Sequence, residues 1–249
     1  MTNGTLRPLL TGVLTAGLVR AAEVGPRVAA AVMVWISAVL LLDANGSLTT
    51  QRVLGALTWL LLAAVLWREA PLVRVQAIVV VAFATLVEYT FAPGFEVYTY
   101  RFENVPSYVP PGHGLVYLAA LGLGRSHFVR AHLRACVAAV LVVGGAWAMW
   151  GLLWAEQTDV LGAFWYLCLV GFCLWGPSRP LYVGAFLVVS YLELVGTSLG
   201  TWTWEPQDPT GLVAIGNPPS GSAGGYGWFD LAALLLAPRL LALRSPRSG

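Results

Sequence analysis

Eight stretches of the chain are apolar and almost free of charge: 28–42, 53–67, 72–91, 112–124, 135–155, 160–175, 181–199 and 228–243. A helix needs about 20 such residues to cross a bilayer. Charge agrees with that reading, because only 10% of the residues are charged where a soluble domain carries roughly 25%. The pattern predicts an all-α polytopic membrane protein with about eight transmembrane helices. Several segments are short, and 112–124 is the weakest, a partial span or one completed by its flanks. A further apolar stretch, 9–19, covers only one-third to one-half of a span and is expected in the interface. It carries no small-residue cleavage site, which predicts that the first segments are retained.

Arginine placement orients the map. All the basic residues are arginine, and an even number of crossings puts twelve of the fourteen on the side of both termini. Only Arg52 and Arg101 fall on the other side. This is the positive-inside pattern, and it predicts a cell-membrane protein with both termini cytoplasmic. The net charge of +2 is spread over loops, so it does not point to nucleic acid. Cys136, Cys168 and Cys173 lie in apolar runs without a CxxC pair and read as buried thiols. No metal-ligand spacing, phosphate-cradling loop or hydrolase motif is present, and no cofactor is implied. His127 and His132, set among Arg125, Arg130 and Arg134, read as topology or headgroup contacts.

The inner connections are short. Two outer ones are long, 92–111 and 200–227, and their aromatics argue against disorder. They also repeat one order of features. "LWREAPLVRV" from Leu66 resembles "LWGPSRPLYV" from Leu174. Each is followed by an apolar helix ending near a glutamate, Glu88 or Glu193. Next come "YTY" or "WTW", then "PPGHG" or "PPSGSAGG", then "LAAL" from Leu118 or Leu231. The expected organisation is a cytoplasmic or interfacial segment 1–27, a four-helix repeat 28–124, a basic linker 125–134, a second four-helix repeat 135–243 and a tail 244–249. An even number of spans per half makes the repeats parallel, with a site expected at their interface.

Glu88 and Glu193 sit in apolar helices. A carboxylate in lipid costs at least a few kcal/mol, so such residues face the bundle interior. One carboxylic acid in an apolar pocket can donate a proton and a second carboxylate can accept one. The structural alternative is that each glutamate bonds a tryptophan or tyrosine and locks two helices. Asp230 either caps the last helix or is a third carboxyl group of the site. His113 is a proton shuttle or a hydrogen-bonded helix-start residue. Tyr98, Tyr100, Trp202, Trp204, Tyr226 and Trp228 form an interfacial belt or a wall that binds substrate. In YTY and WTW the aromatics alternate as on a strand, so each pair points one way.

The order Glu, Gly, Tyr-x-Tyr, Val-Pro over Glu88 to Gly114, with a Trp-x-Trp copy over Glu193 to Asp230, resembles integral-membrane carotenoid hydratases of the bisanhydrobacterioruberin type. The resemblance implies water addition to a polyene end group through alkene protonation. Compact membrane terpene cyclases share that chemical logic without a motif match. The expected function is therefore an enzyme that protonates an alkene of a long isoprenoid or other lipid, leading to hydration or cyclisation. Glu193 is the expected proton donor and Glu88 its partner carboxylate or water-orienting base, with His113 and Asp230 in support. The expected partners are that hydrophobic substrate and membrane lipids. A proton-coupled transporter or lipid-binding protein, and a structural subunit of a larger complex, are the alternatives.

Overall fold

The structure is a computed structural model that describes the backbone of residues 6–244 and the side chains of residues 25–243. Helices α1 (Leu6–Ala44), α2 (Leu48–Trp67), α3 (Pro71–Phe91) and α4 (Val109–Gly124) are followed by a short α5 (His127–Ala131). Then come α6 (Leu133–Leu153), α7 (Val160–Trp175), α8 (Arg179–Ser198) and α9 (Ser222–Arg244). Each of the eight apolar segments is thus helical and the protein is all-α. Among the described residues six helices are long and apolar enough to cross a membrane: Gly25–Ala44 of α1, and α2, α3, α6, α8 and α9. Helices α4 and α7 have 16 residues each. At 1.5 Å per residue that is about 24 Å, short of a hydrocarbon core of about 30 Å. Six helices, not the expected eight, meet the length criterion.

The segment 112–124, the weakest by sequence, is the centre of the bundle. Leu115, Tyr117, Leu118, Ala119 and Ala120 of α4 are all buried, and α1, α2, α3 and α8 pack around them. Two prolines in its first turn suit that position, where the missing N–H has no helical acceptor. Small residues let the neighbours close in: a Cβ at Gly184 of α8 would lie 2.1 Å from the carbonyl oxygen of Ala120. Helix α9 packs against α3 and α7.

Two boundaries differ from the sequence expectation. Helix α1 runs unbroken from Leu6 through Pro26, so no separate element ends at residue 27. The side chains of 9–19 lie outside the described residues, and with them the expected interfacial contact. Helix α9 begins at Ser222 rather than near residue 228. The glycine-rich "SAGGYG" reads as loop by composition but serves as a helix face against α7. A Cβ at Gly224 would meet the Trp165 carbonyl oxygen at 1.9 Å.

Each long connection contains a three-residue strand, β1 (Tyr98–Tyr100) and β2 (Trp202–Trp204). They pair antiparallel, with Tyr98 opposite Trp204, Thr99 opposite Thr203 and Tyr100 opposite Trp202. The four aromatics are buried on one face, as the alternation predicts, while Thr203 on the other face is exposed. Gly200, at φ +65°, supplies the left-handed turn into β2.

Buried aspartates tie these connections to the helix ends. Asp43 at the end of α1 accepts from the Tyr108 hydroxyl at 3.0 Å and from Gln51 at 3.2 Å, with Arg101 at 3.9 Å. Burial, then the Asp43 carboxylate, pushes the Tyr108 phenol far above the ordinary range, so it stays a donor. Asp159 caps α7 by accepting from Gly162 N–H at 2.8 Å. It also accepts from the backbone N–H groups of Gly216 at 2.9 Å and Ser220 at 2.6 Å.

Candidate functional site

Beneath the two-stranded sheet lies a cavity of about 690 Å³, lined by residues of α1, α2, α3, α4, α7, α8, α9 and both long connections. Both glutamates line it. Glu88 and Glu193 reach it because each sits near the sheet end of an amphipathic helix, α3 or α8, whose buried stripe includes it.

The two carboxyl groups are furnished differently. Glu88 Oε2 accepts from the hydroxyls of Tyr98 at 2.9 Å and Tyr100 at 2.8 Å. Its Oε1 pairs with His113 Nε2 at 2.8 Å. Three neighbours therefore satisfy one carboxylate, and all are buried. Burial first, then the Glu88 carboxylate, holds the Tyr98 and Tyr100 phenols well above their usual range. Both remain O–H donors at any working pH. Glu193 Oε2 accepts from the indole N–H groups of Trp202 at 3.2 Å and Trp204 at 3.1 Å. Its Oε1 accepts no hydrogen bond among the described residues. The indole is donor-only, so this pair of bonds cannot move a proton.

The structural alternative drawn from sequence is thus half met. Each glutamate does bond its aromatics, but these belong to the strand that follows its own helix, and both carboxyl groups still border the cavity.

His113, in the second turn of α4, is buried and stacks on Tyr226 with centroids 5.1 Å apart. Phe229 meets it edge-on at 5.5 Å. Tyr98 and Trp204 lie against each other at 4.5 Å, and Tyr100 and Trp202 at 6.2 Å. The expected wall is therefore assembled from Tyr98, Tyr100, Trp202, Trp204 and Tyr226. Trp228 also borders the cavity, but about half of it is exposed and its ring lies edge-on to Phe172 at 5.3 Å. Asp230 is not brought to the cavity. Because α9 starts at Ser222, Asp230 falls in its third turn, too deep to cap the helix, and it is buried away from the lining.

Sequence reading missed Trp165, which lines the cavity from α7 and meets Trp204 edge-on at 5.7 Å. A lone aromatic in an apolar helix carries no signal of such a role. It also missed the loop over the cavity, where Asp208 accepts from the N–H groups of Thr210, Leu212 and Val213 and from the Thr210 hydroxyl. Those bonds, the hydroxyl's first, hold its carboxyl below the usual range.

Among the described residues no group of three or more His, Cys, Asp or Glu side chains is placed to hold a metal ion. No arginine is among the lining residues. The arrangement can hold an apolar molecule against two carboxyl groups, one saturated with donors and one with a free oxygen. No family model, curated protein or solved structure matches the chain. Fold and site define its class: an all-α protein with six membrane-length helices among the described residues and a buried carboxyl pair in an aromatic cavity.

Proposed function

We propose that the protein is an integral-membrane enzyme that protonates an alkene of a long isoprenoid or similar lipid, leading to hydration or ring closure. The single observation that carries this reading is that Glu88 and Glu193 border one aromatic-walled cavity with opposite hydrogen-bond furnishing. Glu193, with its free Oε1, delivers the proton to one alkene carbon. The neighbouring carbon becomes a cation, which the faces of Trp202, Trp204 and Tyr98 stabilise. Water adds to that carbon and the oxonium loses a proton, or a second alkene of the chain attacks it and the new cation loses a proton from the adjacent carbon. The proton released in either case goes to the His113–Glu88 pair. The Glu88 carboxyl is held in place beside the developing cation by its bonds to Tyr98, Tyr100 and His113. A phosphorylated head group would meet the carboxyl groups of Glu88, Glu193 and Asp208 and no arginine, so the portion that enters is uncharged.

A duplicated architecture belongs to the same reading. In this proposal residues 28–124 and 135–243 are parallel four-helix repeats, and all eight helices cross the membrane with both termini cytoplasmic. Alignment of the two "LAAL" segments pairs His113 with Tyr226, and these stack on each other. It exchanges the α3–α9 contact for the α8–α4 contact. The antiparallel strands, centred on Thr99 and Thr203, are what a twofold axis along the membrane normal produces.

A proton-coupled transporter is the competing reading, and accessibility separates the two. With Cys136, Cys168 and Cys173 replaced, a single Leu192→Cys beside Glu193 is expected to react with impermeant thiol reagents from the sheet side only. Labelling from both membrane faces would favour transport.

A further inference from the structure

Below the cavity the bundle contains a second set of buried polar groups with no assigned task. Among the described residues, His113 Nδ1, Tyr117 OH, Tyr182 OH and Asp230 Oδ2 are buried side-chain atoms without a hydrogen-bond partner. Their residues are at most 5% exposed. They come from three helices that meet at the core, α4, α8 and α9. Tyr117 follows His113 by four residues, and Asp230 follows Tyr226 by four. Each pair therefore shares a helix face one turn apart. Because His113 and Tyr226 are stacked, Tyr117 and Asp230 continue the same seam one turn further from the sheet. Helix α8, which carries Tyr182, packs against both α4 and α9. Tyr182 sits in the first turn of α8, 11 residues before Glu193, about 16 Å along the helix.

Native interiors rarely leave buried polar atoms unpaired, and a bridging water is the usual partner of such groups. His113 is suited to connect the two regions. Its Nε2 is engaged by Glu88 and its Nδ1 is buried away from the open cavity. We infer that His113, Tyr117, Tyr182 and Asp230 form a water-filled proton relay joining the cavity to a deeper carboxyl store at Asp230. In this relay a proton leaves the Asp230 carboxyl, crosses water and the Tyr117 or Tyr182 hydroxyl, and binds His113 Nδ1. The proton on Nε2 then passes to Glu88 Oε1. The reverse sequence returns it. No bond other than O–H and N–H is made or broken, and the charge on Asp230 changes by one as that on Glu88 changes oppositely.

The inference rests on the reading that Glu88 and His113 handle protons, and its test needs no substrate. His113 is faced by Glu88 of α3 through Nε2 and by the rings of Tyr226 and Phe229 of α9, while Tyr98 and Tyr100 of β1 share the Glu88 carboxyl. Arg125 and Glu69 pair at 3.2 Å beyond Tyr117, at the end opposite the sheet. The full chain is placed in lipid nanodiscs with His127→Gln and His132→Gln, leaving His113 as the only histidine, labelled with nitrogen-15. Proton exchange at the two ring nitrogens is then read by NMR. Asp230→Asn is expected to slow exchange at Nδ1 at least tenfold, with Asp230→Glu restoring it. The Nε2 resonance, reporting the bond to Glu88, should persist as evidence of an intact core. Tyr117→Phe combined with Tyr182→Phe, which keeps the rings, is expected to do the same and serves should Asp230→Asn not fold. Unchanged Nδ1 exchange in either folded variant overturns the relay. That outcome leaves the Glu193 chemistry untouched, whereas an active Glu193→Gln enzyme removes that chemistry and leaves the relay standing.

Discussion

Glu193→Gln is expected to lower product formation by about 10²- to 10⁴-fold, the usual contribution of a positioned general acid. The protein should remain folded. Glutamine keeps the side-chain length, and its carbonyl oxygen can still accept from the Trp202 and Trp204 indoles, at 3.2 and 3.1 Å in the parent. What it loses is the carboxyl proton. Turnover is measured on purified protein with the lipid identified from expressing cells, and folding by thermal unfolding in the same detergent. An activity within a factor of a few of the parent would show that Glu193 only braces two indoles.

Asp159→Ala is expected to give the largest loss of stability, about 3–5 kcal/mol, because it strips the acceptor from three backbone N–H groups at once. Two of these, Gly216 and Ser220, lie more than 50 residues away in the connection before α9. The site should suffer with them, since β2 and Asn217 belong to the same connection, where the Asn217 side chain accepts from Trp204 N–H at 3.2 Å. Asp159→Asn keeps one acceptor oxygen and should fall between. Unfolding midpoints in denaturing detergent test this, and equal midpoints for the alanine variant and the parent would contradict it.

These two residues mark what could and could not be read in advance. Glu193 stands out in the chain because an acid inside an apolar helix has a local cost that demands an explanation. The strands were legible for a similar reason: YTY and WTW alternate visibly. Asp159 carries no such mark. It looks like any acid in a polar loop, and its weight comes from partners 57 and 61 residues away. The start of α9 was hidden by composition. Glycine and serine ahead of Tyr226 imitate a loop, and only contact with Trp165 on α7 explains why a helix needs them. That offset misplaced Asp230, putting it at the start of the last helix, as a cap or a third carboxyl group of the site, when it lies in the third turn. The burial of α4 was likewise invisible, since a short apolar helix reads alike as a weak span or as the core.

The central claim is that a proton from a buried carboxyl group ends on carbon. Cells expressing the chain, grown with an isoprenoid-producing host in deuterated water, should yield a modified lipid absent from cells lacking it. The mass of that lipid should show one deuterium fixed at the former alkene carbon, beyond background labelling in a host carrying Glu193→Gln. A modified lipid without carbon-bound deuterium at that position, or identical lipid profiles with and without the chain, would contradict the account.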